Sequence, residues 1–256
     1  MGIADPITGT VGLLSTLTRA GLIAPMRPDK YLRIVGAMQR ENMAVTSGFA
    51  AAAQRCGDRA GLIDEIGILT WRQIDRRADA LAAALQALPG GQPDVVALMA
   101  RNHRGFVDTL IAANRIGADV LLLNTSFAGP ALAEVVAREG EGRSLVLIYD
   151  EEFGDTVDRA LQGRPETPRI VAWTDTDGHE LTVEQLIDAH AGQEPRRATE
   201  RSRTILLTSG TTTVAPRGCH SRLNDRMNST TTRAISRSQN TNSAKPRISK
   251  NSPNGR

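Results

Sequence analysis

The part of the chain best suited to chemistry is a run of small hydroxylated residues around one glycine. It follows an apolar run at residues 205–207 and contains Thr208, Ser209, Gly210, Thr211 and Thr212, with Arg217 and Gly218 shortly after them. Glycine lets a backbone approach an anion closely, and successive N–H groups and hydroxyls can donate hydrogen bonds to phosphate oxygens. The pattern therefore predicts a phosphate-binding loop at the end of a buried strand, with Arg217 as a nearby cation.

Upstream of this loop, short apolar segments alternate with amphipathic ones. Strands are predicted at residues 95–99, 119–123, 145–149, 170–173 and 205–207, with helices between them. Such alternation indicates right-handed βαβ units and a mostly parallel sheet, which is an α/β fold. Ligands of parallel sheets bind beyond the carboxyl ends of the strands, and the loop at Thr208 lies at such an end.

Two kinds of local signal support this reading. Residues 62–69 predict a hairpin of two short strands around a glycine-containing turn. Thr70 with Gln73, and Thr182 with Gln185, have the spacing of capping boxes, so a helix should begin after each threonine. The first of these helices carries a core-facing stripe made of Ile74, Ala78, Leu81, Leu85 and Leu88.

Residues 1–43 are predicted to form an N-terminal helical extension. Its apolar positions make two helical faces separated by prolines, with Val11, Leu14 and Leu17 on one, Tyr31, Ile34, Val35 and Met38 on the other, and Pro25 and Pro28 between them. Basic residues accompany these faces, so contact with a membrane surface is one interpretation. Packing on the body is favoured because the amphipathicity is modest.

Charge divides the chain into two parts. Residues from 213 onward hold nine Lys or Arg and one Asp, a net +8, so the total of +3 leaves −5 for the preceding body. The mildly acidic body does not have the basic surface of a nucleic-acid-binding domain, and nucleic acid is not an expected partner. A basic character is confined to the end of the chain.

The cysteine content indicates a reducing compartment, and the hydropathy of the sequence predicts no membrane span. Cys56 and Cys219 lie far apart and form no ligand pair, so neither a disulfide nor a zinc site is expected. No apolar run is long enough to span a bilayer, and the first residues lack the features of a secretion signal. The expected location is the cytoplasm, with a peripheral membrane location as the alternative.

From Cys219 to residue 256 the strand and helix rhythm ends. Ser, Thr, Asn and Arg dominate these residues, which predicts a disordered basic tail. Two of the three lysines, Lys245 and Lys250, fall here, and this change in residue usage suggests that the tail is read in a shifted frame. A genuine basic arm that binds nucleic acid or anionic lipid is the alternative. The first interpretation is favoured because the change falls inside the glycine-containing motif.

Other residues capable of chemistry are predicted to be structural. Asp150, Glu151 and Glu152 fit a solvated helix N-terminus better than a metal site, since carboxylates favour that end of a helix. The four histidines have polar neighbours and no metal-ligand spacing, so we expect surface positions for His103, His179, His190 and His220. No catalytic and no metal-binding residue is assigned from the sequence.

The hydroxylated run and the Pro216-Arg217-Gly218 that follows it resemble the phosphate-loop signature T-S-G-T-T-G-x-P-K-G of the AMP-forming acyl-CoA synthetases, or adenylate-forming ligases. Residues 69–74, 102–124 and 144–150 resemble further stretches of that family in the expected order. The likeness covers residues 44–218 and is strongest to bacterial fatty-acid–CoA ligases. Thr213 stands where the signature has its second glycine, one extra residue precedes Pro216, and Arg217 replaces lysine.

This resemblance implies the N-terminal part of an adenylate-forming ligase domain and a two-step reaction. A fatty-acid carboxylate attacks the α-phosphate of Mg-ATP to give acyl-AMP and pyrophosphate, and the thiol of coenzyme A then displaces AMP. ATP, Mg²⁺, coenzyme A and a fatty acid are therefore expected, with the loop from Thr208 to Thr212 holding the β- and γ-phosphates beside Arg217 and Gly218.

Ligases of this family are about twice as long as this chain, far beyond one ordinary domain. We therefore expect residues 44–218 to be a partial AMP-binding domain and the chain to be an N-terminal fragment, inactive alone. The alternatives are a non-catalytic remnant and a basic-tailed module that binds nucleic acid or anionic lipid.

Overall fold

The computed structural model describes residues 27–42, 44–176, 178, 181–208 and 217–221, the last five and Thr208 by their backbone alone. The helices are α1 (Pro28–Arg40), α2 (Ser47–Cys56), α3 (Trp71–Gln86), α4 (Arg104–Ile116), α5 (Gly129–Glu139), α6 (Gly154–Ala160) and α7 (Val183–Ala189). The strands are β1 (Ala60–Asp64), β2 (Gly67–Thr70), β3 (Val95–Met99), β4 (Asp119–Leu122), β5 (Leu145–Asp150), β6 (Arg169–Trp173), β7 (Thr204–Thr208) and β8 (Arg217–Ser221). A short 3₁₀ helix, Glu151–Phe153, joins β5 to α6.

The main sheet has the strand order β6-β5-β3-β4-β7-β8. The first five strands of this order are parallel, and β8 runs antiparallel to β7. Strand β3 is central, and all five of its residues are buried because helices cover both faces. The predicted α/β fold with mostly parallel βαβ units is therefore confirmed.

Side chains alternate between two apolar clusters on the two faces of the sheet. Val96 and Leu98 of β3 face a cluster with side chains of α3, α4 and α7. Val95, Ala97 and Met99 face a second cluster with side chains of α5 and α6. This two-sided burial explains why the strands are continuous apolar runs.

The hairpin and both capping boxes are confirmed. Strands β1 and β2 pair antiparallel, with Ile63 opposite Ile68. The Gln73 N–H donates to Thr70 Oγ1 at 3.2 Å, and the Thr70 N–H donates to Gln73 Oε1 at 2.7 Å. Thr182 and Gln185 form the same reciprocal bonds at the start of α7. The predicted stripe of α3 is buried throughout.

Gly117 ends α4 at a position that only glycine fits. Its φ is +81°, a left-handed conformation that disfavours other residues. A Cβ placed there would lie 2.7 Å from the Cβ of Ala198. The close approach lets the segment that leads to β7 pack against the end of α4, where the Ala198 N–H donates to the carbonyl of Arg115 at 2.8 Å.

A buried charged cluster ties the end of α1 to the body. Arg115 of α4 is fully buried and pairs with Glu41 at 3.0 Å and Asp79 at 2.9 Å. Arg197 pairs with the same two carboxylates at 2.6 and 2.7 Å. Next to Glu41, Asn42 has a φ of 51° and donates through its side-chain amide to the carbonyl of Ala198 at 2.7 Å.

The ends of the chain are described only in part. In α1, Tyr31, Ile34 and Met38 are half-buried as one face, but Val35 is 50% exposed, so its predicted place on that face is wrong. Residues 1–26 of the predicted extension lie outside the described residues, and so does the predicted tail beyond Ser221, the end of β8. The predicted boundaries at residues 43 and 218 stay predictions.

No helix among the described residues is both long and apolar enough to cross a bilayer.

Candidate functional site

The predicted phosphate loop leaves the sheet at the carboxyl end of β7 and returns as β8. Thr208 and Arg217 are Cα partners in this antiparallel pair, and Leu207 lies opposite Gly218. The loop therefore begins and ends at one point, at the edge of the sheet where parallel sheets bind ligands. Ser209, Gly210, Thr211 and Thr212 lie outside the described residues, so their contacts with phosphate stay predictions.

Strand β7 is anchored firmly before it reaches the loop. It pairs parallel with β4, with Leu121 opposite Ile205, and Ile205 is fully buried. Because the strand is fixed along its length, the point at which the loop starts is also fixed. The neighbouring Leu206 is 49% exposed, so β7 is covered less completely than β3.

The amino-terminal edge of the sheet, opposite the loop, is held together by Asp119. Its carboxylate accepts the N–H of Arg203 at 2.7 Å, the Nε–H of the same residue at 2.8 Å and a guanidinium N–H of Arg143 at 2.6 Å. Burial alone would raise the pKa of Asp119, but the hydrogen bonds from Arg203 and Arg143 outweigh it and lower the pKa. The two arginines thus clamp the segments that lead into β5 and β7 onto the start of β4.

A cleft opens at the carboxyl-terminal edge of the sheet. The chain leaves β3 toward β4 on one side and leaves β5 toward β6 on the other, so the loops after these two neighbouring strands diverge. Such a switch point leaves a crevice suited to ligands. The cleft has a volume of about 740 Å³ and is lined by Glu65, Arg101, Asn102, His103, Asp150, Glu151, Glu152, Trp173, Thr174, Asp175 and Thr176.

A buried histidine and aspartate form the base of this cleft. His103 Nε2 lies 2.9 Å from Asp150 Oδ1, while the Gly105 N–H donates to His103 Nδ1 at 3.1 Å. Because Nδ1 accepts a hydrogen bond, the ring proton is on Nε2 and is donated to Asp150. The second carboxylate oxygen accepts the N–H of Arg101 at 2.7 Å, and the imidazole packs on the Trp173 ring at 4.8 Å.

The predicted surface position of His103 is therefore wrong. Its side chain is 6% exposed because it caps the N-terminus of α4 and turns inward toward β5. His190 is consistent with its predicted polar setting, and its ring contacts the carbonyl of Leu186 at 3.0 Å. His179 and the side chain of His220 lie outside the described part of the chain.

The three consecutive acidic residues also divide into two kinds. Asp150 is buried at the end of β5, so its predicted place at a solvated helix terminus is wrong. Glu151 begins a 3₁₀ helix and accepts hydrogen bonds from the hydroxyls of Thr174 at 2.5 Å and Thr176 at 2.6 Å. Glu152 is exposed and forms an ion pair with Arg101. These contacts join the loops after β3, β5 and β6.

A second buried carboxylate, that of Asp108, lies in the second turn of α4. Asp108 Oδ2 accepts the Nε–H of Arg77 at 2.9 Å, and the same guanidinium binds Glu184 of α7. Burial raises the pKa of Asp108 to about 6, although Arg77 opposes the rise. Its other oxygen, Oδ1, has no hydrogen-bond partner.

Close by, Arg104 binds Asp64 of the hairpin through two side-chain hydrogen bonds of 2.8 and 2.6 Å. The hydrogen bond from Arg104 lowers the pKa of Asp64 to about 2 against a smaller effect of burial. None of these buried pairs was predicted, because each joins residues distant in sequence. The sequence signal that could have indicated these pairs is the polar segment from Arg101 to Arg104, which directly follows the apolar strand β3.

Among residues 27–42, 44–176, 178 and 181–208, no group of three His, Cys, Asp or Glu side chains is placed to hold a metal ion. No residue is therefore assigned to Mg²⁺.

Comparison with known protein families gives a match over most of the chain. A family model described as "AMP-binding enzyme" matches residues 49–246. The matched range starts within α2, includes the whole described sheet and the predicted phosphate loop, and continues into the predicted tail. It begins after α1.

Two curated relatives show partial similarity. "Protein Y" of Streptomyces griseus is 27% identical over 177 residues, which cover 67% of this chain and 58% of the relative. "Feruloyl-CoA synthase" of Amycolatopsis sp is 33% identical over 96 residues, which cover 38% of this chain and 19% of that enzyme. The chain thus spans little more than half of the first relative and a fifth of the second.

Solved structures share the fold. The structure described as "Mycobacterium tuberculosis fatty acyl CoA synthetase" superposes with a TM-score of 0.57 at 21% identity, over 72% of this chain and 35% of that one. Because only about a third of that protein is covered, the shared fold is that of a part of it.

Proposed function

The chain belongs to the family of AMP-binding enzymes, and we propose that it forms the N-terminal part of an AMP-forming acyl-CoA ligase. The observation that carries this proposal is the pairing of Thr208 with Arg217 at the carboxyl end of β7. The pairing brings the two ends of a threonine-rich loop with one glycine together at the ligand-binding edge of a parallel sheet. We propose that the residues between these ends offer their N–H groups to one anion.

The proposed reaction has two steps. The substrate carboxylate attacks the α-phosphate of ATP, which forms the acyl-phosphate bond and releases pyrophosphate. The thiol of coenzyme A then attacks the acyl carbon, forms the thioester and releases AMP. Because charge accumulates on phosphate oxygens, the contribution of the loop is to position the triphosphate and to stabilise its charge.

Within the loop, we assign Thr208, Ser209, Gly210, Thr211 and Thr212 to the β- and γ-phosphates. Arg217 and Gly218 close the loop on the β8 side. An arginine offers a planar fork of donors where a lysine would offer one compact ammonium group, so Arg217 suits contact with two phosphate oxygens at once.

A fatty acid is the proposed substrate, and an aromatic acid is the second candidate. The sequence likeness to bacterial fatty-acid–CoA ligases supports the first, and the similarity to feruloyl-CoA synthase supports the second. ATP with Mg²⁺ and coenzyme A complete the proposed set of substrates and cofactors. With only two cysteines in the chain, a reducing cytoplasm is the proposed compartment.

The test of the phosphate loop is direct binding of ATP to the purified chain, measured by calorimetry in the presence of Mg²⁺. We expect millimolar or tighter binding that the Arg217→Ala variant weakens by about tenfold, which is the loss of one charge-assisted contact of about 1.4 kcal/mol. Arg217→Lys should retain part of the affinity because it keeps the charge.

Arg76→Ala is the matched control, since Arg76 is exposed on α3 and belongs to no predicted phosphate contact. Equal weakening by the Arg76 and Arg217 variants would show a non-specific charge effect. Absence of any ATP binding would contradict the proposed role of the loop.

Exchange of labelled pyrophosphate into ATP tests the acid class and the competence of the chain. We expect no exchange by the purified chain with either a long-chain fatty acid or ferulate. Clear turnover with one of them would contradict the expected inactivity and would identify the acid.

A further inference from the structure

The chain between α7 and β7 is held by side chains from distant elements. Residues 193–203, which we call the entry segment, form neither helix nor strand. Their backbone is nevertheless bonded: the Arg196 N–H donates to Gln86 Oε1 at 2.9 Å, and Gln86 Nε2 donates to the Arg196 carbonyl at 2.8 Å. Because the entry segment has no hydrogen-bond ladder of its own, its position depends on such side chains.

Asn42, just after α1, contacts the entry segment at three positions. Its side-chain amide donates to the carbonyl of Ala198 at 2.7 Å and to that of Glu200 at 3.3 Å. In the other direction, the guanidinium of Arg201 donates to the carbonyl of Asn42. One residue therefore binds the entry segment through both its side chain and its backbone, shortly before β7 begins.

The backbone of Asn42 is held in the left-handed conformation, with a φ of 51°. Among the residues that the structure describes, no other non-glycine residue has a positive φ. Asparagine tolerates this conformation better than most residues, and it persists only where the surrounding contacts fix it. Glu41 supplies such contacts, because its buried carboxylate pairs with Arg115 at 3.0 Å and with Arg197 at 2.6 Å. The turn after α1 is thus a fixed structure that the entry segment contacts.

The entry segment is continuous with β7 and forms part of its anchor. The Arg203 N–H donates to Asp119 Oδ1 at 2.7 Å, and the Val120 N–H donates to the carbonyl of Arg203 at 2.8 Å. The strand itself is covered incompletely, since Leu206 is 49% exposed. Because packing covers only part of β7, contacts made just before the strand contribute more to its position.

We propose that Asn42 is a positioning residue, which holds the entry segment so that β7 carries Thr208 to the point where the phosphate loop closes on Arg217. This inference rests on the proposed function of that loop. Asn42 acts through the entry segment and β7, and not by contact with ATP. The family match begins at residue 49, so Asn42 lies outside the matched range.

Amide hydrogen exchange of the full chain, followed by mass spectrometry, tests whether Asn42 holds β7. Asn42→Gly allows the left-handed backbone and removes the side-chain amide. We expect exchange in peptides spanning residues 196–206 to become about tenfold faster, because the entry segment opens locally more often. Strands β3 and β5 should keep their exchange rates. Asn42→Asp, which tolerates the same backbone but cannot donate, should give the same acceleration.

Binding of ATP with Mg²⁺, measured by calorimetry, is the readout that a merely structural contact would not change. Under conditions in which the variant stays folded, we expect Asn42→Gly to weaken ATP binding about threefold, because hydrogen bonds to phosphate lose strength when the loop is displaced.

Thr70→Ala is the matched control. It removes the cap of α3 and so lowers the stability of the whole protein, but the capping bonds of Thr70 are to Gln73 and not to the entry segment. Both the exchange of residues 196–206 and the affinity for ATP should stay as in the parent.

Three results would overturn the proposal. Exchange in residues 196–206 could be equal in the parent and in Asn42→Gly, or Thr70→Ala could accelerate it as much. ATP binding could be unchanged in Asn42→Gly although exchange is faster, which would make the contact structural only. A parent that binds no ATP would instead contradict the phosphate loop itself, and the exchange rates alone would then decide whether Asn42 holds β7.

Discussion

Two buried aspartates in different regions of the α/β body have opposite electrostatics. At the amino-terminal edge of the sheet, Asp119 is surrounded by donors from Arg203 and Arg143, and its pKa is lowered. Within α4, Asp108 keeps one oxygen without a partner, and burial raises its pKa to about 6. The ionised form of Asp119 is stabilised by its partners, and the ionised form of Asp108 is retained at a cost.

The contrast belongs to these two residues and not to whole edges of the sheet. Near the cleft, both oxygens of Asp64 and of Asp150 accept hydrogen bonds, and beside Arg115 the Oε2 atom of Glu41 is buried without a partner. A buried carboxylate that is poorly satisfied reduces stability, which selection tolerates because proteins are not selected for stability alone. Four substitutions test how such polar groups contribute, from the largest expected effect to the smallest.

His103→Ala should be the most destabilising of them. It removes the acceptor that caps α4 and leaves Asp150 Oδ1 buried without its donor. Loss of a cap and of a buried hydrogen bond together should lower the free energy of unfolding by about 3 kcal/mol. Urea unfolding followed by tryptophan fluorescence measures it.

His103→Ser separates the two contributions, because serine can cap the helix but cannot reach Asp150. It should recover about 1 kcal/mol of the loss. Equal stability of the two variants would contradict the capping role of His103.

Asp119→Asn tests the amino-terminal edge. Asparagine keeps the shape but loses the charge that binds two arginines, whose side chains remain 33% and 28% exposed. Because water partly screens these arginines, we expect a loss of about 2 to 3 kcal/mol at pH 7, below the full cost of breaking a buried pair.

The lowered pKa of Asp119 gives this prediction a pH dependence. The ionised carboxylate contributes stability above the ordinary pKa of aspartate, and the contribution is lost as pH falls through the lowered value. The difference in free energy of unfolding between the parent and Asp119→Asn should therefore disappear at acidic pH. Asp158→Asn is the control: Asp158 pairs with Arg169 but is 62% exposed, and the change should cost less than about 1 kcal/mol.

Asp108→Asn should increase the free energy of unfolding, in contrast to the two preceding substitutions. Burial raises the folded pKa of Asp108 from 3.8 to about 6, so ionisation reduces the stability of the parent as pH rises from about 4 to about 6. Each pKa unit corresponds to about 1.4 kcal/mol, and with some relaxation around the buried site the variant should be about 2 kcal/mol more stable than the parent above pH 6.

Below pH 4 the two proteins should have equal stability, because Asp108 is then neutral in both the folded and the unfolded parent. Urea unfolding at a series of pH values measures the difference. A variant less stable than the parent at pH 7 would mean that the Arg77 contact outweighs burial, and the proposed contrast between Asp119 and Asp108 would be lost.

Thr182→Ala should have the smallest effect. The hydroxyl of Thr182 accepts the N–H of Gln185 at 3.1 Å and caps α7. Its removal should cost about 1 kcal/mol, measured by the unfolding midpoint in urea. Thr182→Ser should restore most of the loss, since the serine hydroxyl caps equally well.

Local patterns in the sequence predicted much of this fold. Apolar runs and periodic stripes gave the strands and helices, and the Thr70–Gln73 spacing gave the start of α3, because these features depend on neighbouring residues alone. The order of the strands was not predicted, since it depends on which distant segments pair. The phosphate loop was predicted from composition, and the described structure adds only the pairing of its two ends.

The buried polar pairs were missed for the same reason. His103 and Asp150 are 47 residues apart, and each has polar neighbours in sequence, so both read as surface residues. Their burial depends on the adjacency of β3 and β5. A polar segment directly after a fully apolar strand is the general signal that such residues turn into the carboxyl edge of a sheet.

The amide of Asn42, which fixes the end of α1, has a consequence for synthesis of the chain. Its partners are the carbonyls of Ala198 and Glu200, 156 and 158 residues further on. A ribosome that adds 5–20 residues per second needs about 8 to 30 s to make that distance. Helix α1 is therefore the first described helix to be synthesised, and the contacts of Asn42 beside its end form only after the segment before β7 has been made.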